Sequence, residues 1–121
     1  DGGGGSAMIV SSVGGLIAGG TLGAYGISKA ADMSMARALS FEWGPQNVRV
    51  NAIVPGLVRT DFARALWEDP VRLERVNTRV PLRRIGEPDE IAGIAVYLAS
   101  PAGAYTTGTS IVVDGGSTIA N

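Results

Sequence analysis

Three short apolar runs set the terms on which this chain can fold. Ala7-Met8-Ile9-Val10-Ser11, Val48-Arg49-Val50-Asn51-Ala52-Ile53-Val54 and Ser110-Ile111-Val112-Val113-Asp114 have the length and apolar, largely β-branched content of strands inside a sheet. Helical stretches lie between them. From about Leu22 to Trp43, Ala, Met, Leu and Arg dominate, and Gly44-Pro45 ends the run. Arg59 to Arg79 holds one or two short helices broken at Pro70. Pro88 opens another helix to about Ser100, with Asp89 and Glu90 in its first turn, where acids complement the helix dipole. Strands alternating with helices predict an α/β layer, a parallel sheet joined by right-handed crossovers. Three strands make a thin sheet, normally part of something larger.

Composition narrows the chemistry. The 121 residues, 45% hydrophobic, suffice for one domain with a core. A net charge of -1, with basic residues interleaved among acids, gives no bulk attraction to nucleic acid or to an anionic membrane, and a small neutral partner is expected. With no Cys and no His in the chain, a disulfide framework, Cys/His metal sites and imidazole-dependent triads are excluded from it. The same composition fits a reducing, cytoplasmic location. No apolar run approaches the roughly 20 residues of a spanning helix, and neither a signal peptide nor a peroxisomal ending is expected from the sequence, which closes on Thr118-Ile119-Ala120-Asn121. Asp1-Gly2-Gly3-Gly4-Gly5-Ser6 reads as a flexible linker or as a natural turn, and the immediate onset of Ala7-Met8-Ile9-Val10 favours the turn. The 18 glycines follow no fixed period, so no solenoid is expected.

Only one lysine is present, Lys29, and it follows Tyr25 by four residues near the start of the long helical stretch, which puts both on one face. A phenol ordinarily titrates near pH 10, so acid/base work at neutrality needs a shift of about 3 units, roughly 4 kcal/mol. A neighbouring ammonium provides much of that by favouring the phenolate. Ser12 lies at the C-terminal end of the first strand, where open parallel sheets carry their ligand sites, and its hydroxyl could bond the same substrate oxygen. Taken alone, a Tyr-x-x-x-Lys pair is a weak signal, and a surface tyrosine beside a solvated lysine is the favoured reading of it.

The pair stands within a longer pattern. Ser11-Ser12, then Tyr25-Gly26-Ile27-Ser28-Lys29-Ala30-Ala31, then Arg49-Val50-Asn51 with Pro55-Gly56 and Thr60, then Arg84-Ile85-Gly86-Glu87-Pro88, then Val113-Asp114-Gly115-Gly116 resembles the short-chain dehydrogenase/reductase family in order and spacing, over almost the whole chain. It is similar to the carbonyl/retinal reductase-like and 3-oxoacyl reductase-like branches. The resemblance implies that residues 1–121 are the C-terminal catalytic half of a Rossmann-like doubly wound parallel sheet, three parallel strands with flanking helices. It also implies a parent oxidoreductase that transfers a hydride between NAD or NADP and a small carbonyl or alcohol substrate. It assigns proton donation and acceptance to Tyr25, substrate-oxygen stabilisation to Ser12, and to Lys29 both support of the phenolate and a hydrogen bond to the nicotinamide ribose. Pro55, Gly56, Val58 and Thr60 would line the nicotinamide. Leu57, Phe62, Leu66 and Trp67 would form an apolar lid excluding water, with core packing the alternative for Phe62 and Trp67.

Some family features are not in this sequence. The Gly-rich pyrophosphate turn, the residue that selects NAD or NADP, and the Asn of a catalytic tetrad are absent, and Gly14, Gly15, Gly19, Gly20, Gly23 and Gly26 reproduce neither Gly-x-Gly-x-x-Gly nor Gly-x-x-x-Gly-x-Gly. Those glycines read as active-site loop and helix packing. The missing N-terminal half is therefore an expected partner, and the 121 residues alone are expected to be inactive. The alternative is a catalytically inactive half-domain acting as a structural or self-association module. A homo-oligomer, dimer or tetramer, is expected through a small-residue face at Gly26, Ala30, Ser34 and Ala38 and through the last strand.

Overall fold

The computed structural model describes residues 3–17 and 23–120. Strands β1 (Gly5–Val10), β2 (Val48–Pro55) and β3 (Ser110–Val113) form one parallel sheet in the order β1-β2-β3. Gly5 pairs with Val48 through to Val10 with Ile53, and Ala52 pairs with Ser110 through to Pro55 with Val113. β2 is central, and its residues from Val50 to Val54 are all buried, as expected of a parallel strand covered on both faces.

Helix α1 (Gly23–Trp43) makes the crossover from β1 to β2. Its Met33 and Ala36 are buried against Val50, Ala52 and Val54, with Ala7, Ile9, Val13 and Leu39 packed around them. The three β2 residues alternate along the strand, so they share one face, and α1 lies against it. Gly44–Gln46 then forms a tight 3-10 turn that ends on Asn47 in the left-handed conformation. Gly44-Pro45 stops the helix as its sequence predicts.

Between β2 and β3 come α2 (Arg64–Trp67), α3 (Pro70–Asn77) and α4 (Pro88–Ala99). The two short helices are divided at Pro70, as expected, and Pro70 is the first residue of α3: Asp69 caps it by accepting from the Val71 N–H at 2.9 Å. Glu87 and Glu90 form a capping box at the start of α4, and Arg84 clamps both Glu90 oxygens at 2.7 and 2.6 Å. Those hydrogen bonds, followed by the one from the Glu87 N–H, hold the Glu90 carboxyl down at about 2. α4 packs on β1 and β2, buries Leu98, and accepts a 2.8 Å bond from Ser6 Oγ at the Leu98 carbonyl.

The boundaries differ from the sequence reading in informative ways. β1 starts at Gly5, two residues before the first apolar side chain, because the Gly5 N–H is taken up by the Asn47 carbonyl at 3.1 Å. Gly4, with φ +115°, passes so close to that carbonyl that any Cβ would collide with it. Gly3 to Ser6 is thus a turn and a strand start; Asp1 and Gly2 lie outside the described residues. So do Leu22, where helix was expected to begin, and residues 18–21 before it. The small-residue face of α1 is divided: Gly26 packs on the Gly14 carbonyl, while Ser34 and Ala38 are exposed.

Asn51 is the fully buried polar side chain of β2. Its Nδ2 donates to the Thr106 carbonyl at 2.9 Å, and its Oδ1 accepts from the Thr109 N–H and hydroxyl at 3.1 and 2.7 Å. It thereby fastens the approach to β3 onto β2. Asn51→Ala would strand several buried polar groups and should lower stability by roughly 3 kcal/mol. A urea midpoint unchanged from wild type would contradict this role.

Candidate active site

The site grows from the C-terminal end of β1. Ser11 continues the ladder with a 2.8 Å bond from its N–H to the Ile53 carbonyl, and its buried hydroxyl donates to the Lys29 carbonyl at 2.7 Å. Ser12 is extended and caps the 3-10 turn Val13–Gly15, its Oγ accepting from the Gly14 N–H at 3.1 Å. This turn lies directly on α1. A Cβ on Gly26 would come within 2.8 Å of the Gly14 carbonyl oxygen, and one on Gly15 within 2.7 Å of the Lys29 carbonyl carbon and the Ala30 nitrogen. Only glycine at those positions permits so close an approach of loop and helix.

That approach brings Ser12 to Tyr25. A single point, the place a Gly14 Cβ would occupy, is 3.3 Å from Tyr25 Cε1 and 3.5 Å from Ser12 Oγ. Lys29, one turn further along α1, has its Nζ 5.6 Å from the Tyr25 ring centroid. It donates to the Val10 carbonyl at 3.3 Å and pairs with Asp32 at 3.5 Å. Both side chains of that pair are about a quarter exposed, at 25% and 27%, so its net contribution is modest, under about 1 kcal/mol. Its value is orientational: it holds the ammonium beside the ring.

The opposite wall is the end of β2. The Gly56 N–H donates to the Val113 carbonyl at 3.0 Å, and Gly56 lies so near Asp114 that a Cβ would come within 2.9 Å of the Asp114 Cα. Val58 bridges to Gly86, with the Gly86 N–H on the Leu57 carbonyl at 3.0 Å and the Arg59 N–H on the Gly86 carbonyl at 2.9 Å. Burial pushes the Asp114 carboxyl up, yet bonds from the Thr118 and Gly116 N–H groups and the Ser117 hydroxyl outweigh it and hold the group below the ordinary aspartate range.

Between the walls runs an open groove of about 1130 Å³. Ser12, Tyr25 and Lys29 line it, as do Pro55, Gly56, Val58 and Thr60, and Leu57, Phe62 and Leu66. Lys29 is the one charged residue among the described lining residues. Trp67, expected in the apolar lid, does not line the groove: its indole Nε1 donates to the Thr60 carbonyl at 2.8 Å. Sequence reasoning also passed over the roles of Ser11 and Asp32. Asp32 could have been found from its i+3 spacing to the lone lysine; the Ser11 bond depends on how strand and helix meet, which no local spacing reveals.

Residues 1–118 match the family model described as enoyl-(acyl carrier protein) reductase. The chain is 46% identical over 115 residues to dehydrogenase/reductase SDR family member 4 of Bos taurus, covering 95% of this chain and 41% of that protein. It is 41% identical over 113 residues to the L-rhamnose 1-dehydrogenase (NAD(P)(+)) of Azotobacter vinelandii, covering 93% and 44%. A gluconate 5-dehydrogenase from Burkholderia cenocepacia, solved in complex with NADP and tartrate, superposes with a TM-score of 0.94 at 31% identity, over 98% of this chain and 47% of that one. The chain belongs to the short-chain dehydrogenase/reductase family, whose solved members share its Rossmann-type parallel sheet. It spans less than half the length of these relatives.

The loop–helix contact yields a stability test with an internal control. Gly15→Ala sets a methyl against backbone atoms and should cost about 1–3 kcal/mol. Gly93→Ala, in α4 with nothing within 4 Å of its Cβ, should be neutral or stabilise by up to about 1 kcal/mol. Thermal unfolding that ranks the two variants equally would contradict the close approach.

Proposed function

We propose that this chain supplies the proton-handling and nicotinamide-facing half of an oxidoreductase that uses NAD or NADP to interconvert a small carbonyl compound and its alcohol. The observation that carries the reading is the convergence of Ser12, Tyr25 and Lys29, from a strand end and a helix, on one groove with Pro55, Gly56, Val58 and Thr60. The donor set fits a nicotinamide nucleoside: an apolar wall from Pro55 to Val58 for the ring, and an ammonium opposite it for ribose hydroxyls. When bound, NAD or NADP supplies or accepts the hydride at the carbonyl carbon. The complexes and names of the relatives, NADP in one and NAD(P)(+) in another, support this use.

The residues divide the remaining work. The Tyr25 hydroxyl gives its proton to the substrate oxygen in reduction and takes one from the alcohol in oxidation. Ser12 Oγ already accepts from the Gly14 N–H, so its own proton is left to donate to that same substrate oxygen. The Lys29 ammonium has three donors; the Val10 carbonyl engages one, Asp32 pairs with the charge at 3.5 Å, and a remaining donor serves a ribose hydroxyl. Leu57, Phe62 and Leu66 keep water from the reacting atoms.

The exposed side of α1 supports self-association of the same protein as a dimer or tetramer. Phe41 is 90% exposed, on a helix that also exposes Met35, Ser34 and Ala38, an apolar surface of the kind that two-fold contacts cover.

In the full-length protein Tyr25→Phe keeps the ring and removes the proton, and should lower kcat by roughly 10²-fold or more with the fold intact. Wild-type turnover in that variant would refute the assignment. Ala38→Arg places a long cation on the exposed side of α1, and light scattering should show a smaller assembly; an unchanged mass would remove α1 from the interface.

A further inference from the structure

Trp67 stands off the groove, yet several separate contacts converge on it. Its Nε1 donates to the Thr60 carbonyl at 2.8 Å. The guanidinium carbons of Arg59 and Arg64 lie 5.0 and 5.6 Å from the indole centroid, within the range of cation–π attraction. Each arginine is tethered in turn. Arg59 Nε pairs with Glu87 Oε1 at 3.1 Å, and Arg64 Nη2 with Asp61 Oδ1 at 2.6 Å. Because Glu87 is the N-cap of α4, Arg59 connects the start of that helix to the indole.

What these contacts hold is the segment that carries Phe62 and Leu66. α2 is a single turn of four residues, too short to persist on its own propensity. Phe62 is 90% and Leu66 45% exposed, so burial does little to fix either. The segment begins at Thr60, whose carbonyl also accepts from the Ala63 N–H at 3.1 Å, and it ends at Trp67. The indole bond therefore closes 60–67 into a ring anchored on the groove wall.

We propose that Trp67 is a positioning residue, a latch that ties segment 61–67 to the wall at Thr60 and so sets where Phe62 and Leu66 stand over the groove. It touches no reacting atom, and it rests on the reading of that groove as the active site. Its action runs through the Thr60 carbonyl and the stacked Arg59. The segment can thus be released without disturbing α1, Tyr25 or Lys29.

Hydrogen exchange followed by mass spectrometry on the full-length protein tests this without requiring turnover. Trp67→Phe keeps a ring for Arg59 and removes the N–H, whereas Trp67→Ala removes both. Peptides covering 60–68 should exchange about tenfold faster in Trp67→Ala and at an intermediate rate in Trp67→Phe, with peptides of 27–43 unchanged. NADPH is the second probe: it should slow exchange of 60–68 in the wild type, and in Trp67→Ala that slowing should be lost while NADPH still binds, followed by its own fluorescence. Unchanged exchange of 60–68 overturns the latch, as does equal acceleration of 27–43, which would make Trp67 ordinary packing. If Trp67→Ala does not fold, the Trp67→Phe comparison decides on the same criteria. Loss of protection by NADPH in the wild type, with the variant difference intact, upholds the latch and defeats the nicotinamide reading of the groove.

Discussion

The structure depends on a contact between two stretches of bare backbone. The turn at Gly14-Gly15 lies against α1 at Gly26, Lys29 and Ala30, closer than any side chain would allow at the glycines. The Ser11 hydroxyl fastens the same junction through the Lys29 carbonyl at 2.7 Å. β1 and α1 are thereby fixed to each other at the point where one delivers Ser12 and the other delivers Tyr25 and Lys29. The placing of these three side chains along one groove thus follows from a packing constraint.

The second wall is built by other means. β2 is buried from Val50 to Val54, so its end at Pro55 and Gly56 is a stable platform. Beyond it the backbone leaves the sheet and is secured by the bridge between Val58 and Gly86, by Asp114 behind Gly56, and by the ion pair of Arg59 with the α4 cap. Helix α4 is therefore tied to this wall through its cap, and none of its residues is among the described residues that line the groove. Its capping box and the Arg84 clamp hold Glu87 where Arg59 meets it.

Most of this scaffold was legible in the sequence, and the reason is periodicity. Strands that are apolar on both faces, a helix bounded by Gly44-Pro45 and an α4 that opens on Pro88 are local signals, and strand order followed from the short-range alternation of elements. Tyr25, Lys29 and Ser12 were singled out by a pattern of five linked motifs along the chain rather than by the spacing of the pair alone, and the structure lines one groove with all three. The hidden parts depend on where two elements meet. The early start of β1 at Gly5 is set by the Asn47 carbonyl, which lies in another part of the chain. Trp67 carried the composition of a lid residue, yet its N–H found an acceptor on the wall, and that bond took the ring out of the groove.

A structure of the full-length protein with a bound nicotinamide nucleotide tests the central claim most directly. The account predicts the nicotinamide ribose within hydrogen-bond distance of Lys29, the ring against Pro55 to Val58, and the hydroxyls of Tyr25 and Ser12 facing one position beside that ring. A nucleotide bound with its nicotinamide outside this groove, or a Tyr25 hydroxyl turned away from Ser12 in that complex, would contradict it.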